Sequence, residues 1–76
     1  MTSFVDLEVF VRTVDGGSFS AAARALDITP AAASIAVKRL EQQLGARLLV
    51  RSTRSLRLTE EGARYLDSAR LALGAL

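Results

Sequence analysis

The chain of 76 residues contains no cysteine and no histidine. Without cysteine it can form neither a disulfide scaffold nor a thiolate metal site, which fits a reducing compartment. Acid–base or nucleophilic catalysis would depend on carboxylates, hydroxyls, one tyrosine and one lysine. The sequence also has no glycine-rich phosphate loop and no metal-ligand spacing. These absences argue against an enzyme and predict that the chain uses no metal and no cofactor.

Aromatic residues and long apolar runs are scarce as well. Aromatics make up 5% of the chain although 50% of its residues are hydrophobic, so the core is expected to be aliphatic and rich in alanine, as in closely packed helices. No apolar run approaches the roughly 18 residues of a membrane-spanning helix, and no secretory signal is present. The length suffices for one small domain. The sequence therefore predicts a soluble, cytoplasmic protein.

Helical spacing dominates the first half of the chain. The glycine pair 16–17 is expected to end a first helix, whose apolar positions are Phe4, Leu7, Phe10, Val11 and Val14. Ser18 is expected to cap a short second helix, and Thr29 with Pro30 to begin a third over residues 29–44. The short turn between the last two, with alanine where their axes approach, is typical of a helix-turn-helix. Helix propensity alone is the alternative explanation of the alanines.

The third helix is predicted to have two different faces. Positions spaced by four, three and four residues define a buried face, and these positions are Ala33, Val37, Leu40 and Leu44. The opposite face is predicted to be free for contact with a partner, and it carries Ala31, Ser34, Ile35, Lys38 and Gln42. Gly45 is expected to end the helix.

A basic hairpin is predicted over residues 49–58, from the alternation around Arg57 and a polar tip at 52–55. Between residues 38 and 57 the chain has a net charge of +5, whereas the whole chain has +2. Glu41 is the single acid of this segment, and its bases are Lys38, Arg39, Arg47, Arg51, Arg54 and Arg57. Positive charge concentrated in this way predicts a polyanionic partner, with double-stranded DNA as the leading candidate.

A fourth helix is predicted to begin after Thr59 and to continue to the last residue. Apolar or small residues alternate at spacings of four and three, as in a two-stranded coiled coil, and these are Gly62, Leu66, Ala69, Leu73 and Leu76. We predict that this seam pairs two copies of the chain, with the first helix adding to the contact; a face buried within one copy is the alternative. The pattern runs to the final residue, which predicts that the helix and a further domain continue in a longer protein.

Several motifs in fixed order give the chain a family resemblance. GSFSAAARAL, TPAAAS, KRLEQQLGARLL, the basic stretch 51–57 and RLTEEG resemble the amino-terminal domain of LysR-type transcriptional regulators. The resemblance covers nearly the whole chain. It implies a mainly α winged helix-turn-helix of order α-α-α-β-β-α over residues 1–58, followed at 59–76 by the start of a linker helix that pairs two protomers. It also implies a separate domain that binds a small-molecule effector, and an association with the nucleoid.

The resemblance assigns base contacts to the start of the third helix. The matching positions are Thr29, Pro30, Ala31 and Ser34. Ile35 departs from the family, which often has arginine or another polar residue there. We expect its side chain to contact a thymine methyl group, with packing against a neighbouring loop as the alternative.

The remaining assignments concern the DNA backbone and the minor groove. Lys38 is well placed for a phosphate or a guanine edge, and Arg54 matches an arginine that enters the minor groove in the family. Arg51, Ser52, Thr53 and Arg57 resemble phosphate contacts. Ser18 and Ser20, at the start of the second helix, can bind another phosphate. For the serines capping alone is the alternative, and for Lys38 and Arg54 it is solvation.

A protein-interaction module is the competing function, since some winged helices bind proteins or RNA. Arginines at 51, 54 and 57 favour DNA, because a protein-binding hairpin has little need of them. Two protomers related by a two-fold axis would recognise an interrupted inverted repeat.

Overall fold

The computed structural model describes residues 3–52 and 55–74. Within them, four helices surround a small core and a two-stranded antiparallel hairpin lies between the third and fourth. The elements in chain order are α1 (Phe4–Gly16), α2 (Phe19–Leu26), α3 (Pro30–Leu44), β1 (Leu49–Arg51), β2 (Leu56–Leu58) and α4 (Glu60–Gly74). The predicted mainly α winged helix-turn-helix of order α-α-α-β-β-α is confirmed.

Side-chain caps start three of the four helices where the sequence predicts. Ser18 Oγ accepts the N–H of Ala21 at 3.0 Å at the start of α2. Thr29 Oγ1 accepts the N–H of Ala32 at 3.0 Å at the start of α3, and Thr59 Oγ1 accepts that of the third residue of α4 at 2.9 Å. Each cap satisfies an N–H that has no partner within its helix.

Turns at the other helix ends use left-handed backbone. Gly45 ends α3 with a φ of 68°, a conformation that costs glycine little because it has no Cβ. Asp27 takes the same conformation between α2 and α3, with a φ of 57°. These two tight ends fix the angle between α2 and α3 and the point at which the chain leaves α3 for the hairpin.

The core lies between α1, α3, the hairpin and α4. Phe10 and Leu40 are fully buried, and Leu48 and Leu49 bring the start of the hairpin into the same cluster. The buried positions predicted for α3 are confirmed at Ala33, Val37 and Leu40.

The predicted core position Leu44 is wrong, and Phe4, an apolar position of the first helix, is not buried either. Leu44 keeps 37% of its surface exposed and Phe4 keeps 47%. Each stands at an end of its helix, α3 and α1 respectively, where the periodicity continues but no other element covers the side chain. The helical pattern therefore overestimates the length of both buried faces.

The hairpin alternates as predicted. Leu49 pairs with Leu58 and faces inward, while Val50 pairs with Arg57 and both are exposed. Gly62 lets the backbone of α4 approach the hairpin closely, because a Cβ at this position would lie 2.1 Å from the carbonyl oxygen of Leu48. The hairpin is thereby fixed to the helical core at its base.

The predicted pairing seam on α4 is largely part of the monomer core, so that prediction is wrong for its first three positions. Gly62 is buried, Leu66 is 9% exposed and Ala69 is 1% exposed, all within one copy of the chain. Alternation of four and three residues arises equally when a helix packs on its own domain, which is the case here. Leu73 is half-buried, and Leu76 lies outside the described residues. None of the helices within the described ranges is long and apolar enough to cross a membrane.

Candidate nucleic-acid interface

The outer face of α3 is exposed along its first three turns. Ile35 keeps 57% of its surface exposed, Ala31 and Lys38 are exposed, and Ser34 is half-buried. Thr29 and Pro30 are exposed at the start of the helix. Because most of these side chains are small, the backbone of α3 can approach a partner surface closely, as a helix in the major groove must.

The hairpin presents a second exposed surface beside α3. Arg57 and Val50 point outward on facing strands. At the turn, the N–H of Ser52 donates to the carbonyl oxygen of Ser55 at 3.0 Å, which holds the two strand ends together. Thr53 and Arg54, predicted at the tip, lie outside the described residues.

The start of α2 lies next to the base of the hairpin. Gly17 and Ser18 line the same concavity as Arg51, Ser52 and Ser55. Ser18 is half-buried because its oxygen caps α2, and Ser20 is exposed. The structure therefore brings together residues that the sequence separates by more than thirty positions, from 17 to 55.

Part of the positive charge counted in the sequence is neutralised inside the chain. Arg39 Nε and Nη2 donate to the two carboxylate oxygens of Asp6, each at 2.8 Å. Asp6 is fully buried, and its hydrogen bonds raise the pKa of Arg39 above the ordinary value. Arg39 thus joins α3 to α1, and although 54% of its side chain is exposed, its charge is paired with Asp6.

A buried carboxylate, Glu41, organises the junction between α3 and the hairpin, and sequence reasoning missed it. Its Oε2 accepts the N–H groups of Leu48 and Leu49 at 2.8 and 3.2 Å. Arg47 Nε lies 3.7 Å from Oε2, and Arg51 Nη2 lies 3.6 Å from Oε1. The available signal was that Glu41 is the single acid within a strongly basic segment, which favours an internal role over an exposed one.

Arg51 is turned inward, unlike Arg57. Its side chain is 25% exposed, and its guanidinium carbon lies 5.0 Å from the centre of the Phe19 ring. Its Nη1 donates to Ser34 Oγ at 3.4 Å. The cation–π contact and the weak hydrogen bond place Arg51 between the two helices of the helix-turn-helix and the hairpin.

Comparison with known proteins agrees with this geometry. A family described as bacterial regulatory helix-turn-helix proteins, lysR family, matches residues 4–63. The chain belongs to the lysR family. This is a family of transcriptional regulators rather than of enzymes.

Individual members of the lysR family extend the match over nearly the whole chain. The transcriptional regulator CrgA of Neisseria meningitidis is 51% identical over 72 residues, which are 95% of this chain and 24% of CrgA. Oxidised OxyR of Corynebacterium glutamicum is 33% identical with a TM-score of 0.94, over 99% of this chain and 23% of that one. The chain thus spans about a quarter of the length of the curated relatives that it matches.

A solved structure that contains DNA is also similar. In the complex of the CbnR DNA-binding domain with DNA, the protein is 33% identical with a TM-score of 0.91, over 96% of this chain and 84% of that one. The family resemblance inferred from the sequence motifs is confirmed.

Proposed function

We propose that this chain binds double-stranded DNA sequence-specifically, as the DNA-binding part of a dimeric LysR-type transcriptional regulator. The observation that carries the proposal is the exposed face of α3 beside a basic hairpin. Glu41 is the one acidic residue between Ile28 and Thr59, and it is buried. This leaves Lys38 and Arg57 as exposed cations without an ion pair in the part of the chain that the structure describes. The similarity to a DNA-bound domain of the same family supports the same conclusion.

In this proposal the start of α3 lies in the major groove. Thr29, Pro30, Ala31, Ser34 and Ile35 contact base edges, because they occupy the first turns of the exposed face. The small residues allow close approach, and Ile35 offers an apolar surface to a thymine methyl group.

Phosphate contacts surround this recognition surface. Lys38 lies farther along α3, and Arg57 and Ser52 lie on the hairpin. Ser18 and Ser20 stand at the start of α2, where backbone N–H groups and the helix dipole favour an anion. Thr53 and Arg54, at the tip, keep their predicted backbone and minor-groove roles on sequence grounds alone. A phosphate contact is also predicted for Arg51. Its side chain is turned inward, so the structure supports this assignment least.

Dimerisation is assigned to the end of α4, where Leu73 belongs to the predicted seam, together with the start of α1. Exposed apolar side chains occur near the start of α1 and near the end of α4: Leu71 is 76% exposed, Val5 60% and Phe4 47%. Phe4 and half-buried Leu73 line one concavity between the two helices. We propose that these ends of α1 and α4 contact a second copy, so that two recognition helices meet an interrupted inverted repeat about one helical turn, or a multiple, apart.

A salt titration tests the proposal. Binding of the chain to duplex DNA enriched from a randomised library should weaken steeply with salt, with a log–log slope of about 0.9 for each phosphate contact. A scrambled duplex should bind more weakly but show a similar slope. A flat salt response, or equal affinity for both duplexes, would contradict sequence-specific DNA binding and favour a protein-interaction module.

A further inference from the structure

One side chain, Arg51, connects the hairpin to both helices of the helix-turn-helix. Arg51 is the last residue of β1. Its guanidinium carbon lies 5.0 Å from the centre of the Phe19 ring on α2, and its Nη1 donates to Ser34 Oγ on α3 at 3.4 Å. On its other side, Nη2 lies 3.6 Å from Glu41 Oε1. The position of the hairpin and the environment of Ser34 are therefore linked through a single guanidinium.

The hydrogen bond between Arg51 and Ser34 has a defined direction. A guanidinium has only donors, so Ser34 Oγ must be the acceptor. The single hydrogen of the Ser34 hydroxyl then points away from Arg51. Within the part of the chain that the structure describes, Ser34 Oγ has no second hydrogen bond, so this hydrogen is available to a partner.

We propose that Arg51 is a positioning residue for base recognition. By occupying one of the two acceptor lone pairs of Ser34 Oγ and keeping the hydroxyl hydrogen turned away, it orients the hydroxyl to donate to an acceptor atom on a base edge, which is purine N7, guanine O6 or thymine O4. This inference rests on the proposed placement of α3 in the major groove. It adds that the specificity of α3 depends on a residue of the hairpin.

Glu41 completes the connection. Its carboxylate accepts the N–H groups of Leu48 and Leu49 and faces the guanidinium of Arg51. It therefore fixes the start of β1 relative to α3 and attracts the side chain that β1 carries. A hairpin held in this way keeps Arg51 within reach of Ser34.

The same geometry argues against a phosphate contact by Arg51. Its Nε and Nη2 are buried and have no hydrogen-bond partner among residues 3–52 and 55–74. A phosphate outside the protein cannot reach these two nitrogens in this arrangement. The remaining nitrogen, Nη1, gives one of its two N–H groups to Ser34, so at most one N–H of the guanidinium is left for a phosphate.

The test separates base discrimination from salt dependence. Dissociation constants of the 76-residue chain are measured for the library-enriched duplex and for a scrambled duplex of the same composition. The salt range is about 50 to 200 mM, and the proteins are wild type, Ser34→Ala, Arg51→Gln and the double variant. We expect each single substitution to reduce the preference for the enriched duplex on the order of tenfold. The double variant should lose no more than either single one, and the salt slope should remain that of the wild type.

Arg57→Gln is the matched control, since it makes the same substitution on the neighbouring strand at a side chain that faces outward. It should lower the salt slope by about one and leave the preference between duplexes unchanged. If Arg51→Gln behaves in this way, Arg51 is a phosphate contact and the proposal is overturned. Additive losses in the double variant would overturn it too, because the two side chains would then act separately.

Two further measurements keep the result decisive if Arg51→Gln fails to fold. Arg51→Lys keeps the charge but offers no planar fork, and it should reduce the duplex preference without changing the salt slope. Enriched duplexes with one base-edge acceptor deleted at a time should include a position that weakens the wild type and leaves Ser34→Ala unaffected. The absence of any such position would overturn the proposal. Failure of the wild type to prefer the enriched duplex would instead refute the proposed function, and this inference with it.

Discussion

The face formed by α3 and the hairpin differs from the face formed by α1 and α4 in how arginine and lysine are paired. On the second face, Arg70 donates to Asp15 at 2.6 Å and Arg64 lies 3.5 Å from Glu60. On the first, Lys38 and Arg57 have no ion pair within the described residues. Lys38 and Arg57 are therefore available to a polyanion, whereas Arg70 joins α4 to α1 and Arg64 is paired within α4.

The two faces also differ in the size and position of their exposed apolar groups. Ile35 stands among small side chains on α3, which suits contact with a single methyl group. Leu71, Val5 and Phe4 lie at the ends of α4 and α1, where no other element covers them. In the proposed function, one molecule carries a DNA surface on α3 and the hairpin and a protein surface on α1 and α4, and substitutions on each surface can separate the two.

The largest effect on stability is expected from a charged side chain placed in the core beneath the α1 and α4 face. Leu66→Asp would put a carboxylate without a partner into the core and should destabilise the fold by about 3–5 kcal/mol. Leu71→Asp makes the same substitution on the same helix, at a residue that is 76% exposed. It should leave the melting temperature nearly unchanged and weaken self-association. Thermal unfolding and sedimentation of both variants check this.

The outcome would be informative in either direction. A folded Leu66→Asp variant that sediments as a monomer would return Leu66 to the contact between protomers. Unchanged self-association of Leu71→Asp, with and without DNA, would place that contact elsewhere.

Charge reversal on the first face is the next largest effect. Lys38→Glu should remove a charged hydrogen bond to phosphate and weaken duplex binding by about 1.5–3 kcal/mol, while reducing the salt slope by about one. Arg64→Glu changes the net charge equally on the other face and should affect binding much less. Fluorescence anisotropy against the enriched duplex measures both. Equal losses would show that net charge, not its placement, controls binding.

Local patterns determined most of the fold in advance. The caps at Ser18, Thr29 and Thr59 and the glycine at 45 are local signals, and each helix begins or ends where they predict. The alternation of the hairpin depends only on period two.

Partner choice between distant residues was not predictable in the same way. The spacing on α4 specifies a buried stripe, but it does not say whether the stripe packs on its own domain, as Ala69 does, or on a second copy. The pairs Asp6–Arg39 and Ser34–Arg51 join residues 33 and 17 positions apart. Only the fold reveals which of these arginines are paired with a carboxylate, as Arg39 is with Asp6 and Arg51 is with Glu41.

A smaller effect is expected at Ile35. If its side chain contacts a thymine methyl group, replacing that thymine by uracil removes one buried methyl and should cost the wild type about 0.8 kcal/mol. The Ile35→Ala variant, which no longer reaches the methyl, should bind both duplexes alike. Competition binding with single thymine-to-uracil duplexes identifies the position. Equal sensitivity of wild type and Ile35→Ala at every position would show that Ile35 does not contact a thymine methyl.

The smallest effect concerns the ion pair that joins α1 to α4. The hydrogen bond from Arg70 holds the pKa of Asp15 below its ordinary value of 3.8, with further attraction from Arg70 and Arg12. A carboxyl group whose pKa is lowered by folding stabilises the native state above its unfolded pKa, and this contribution disappears as the pH falls through the folded pKa. Because both side chains are nearly half exposed, water weakens the contribution. The unfolding free energies of wild type and Arg70→Gln should therefore differ slightly near pH 7 and converge in acid, as the pH falls through the lowered pKa of Asp15. Arg24→Gln, at an arginine with no ion pair in the described part of the chain, should give a pH-independent difference. Urea unfolding across this range decides, and a difference between wild type and Arg70→Gln that persists in acid would mean that Arg70 stabilises α4 by packing rather than through Asp15.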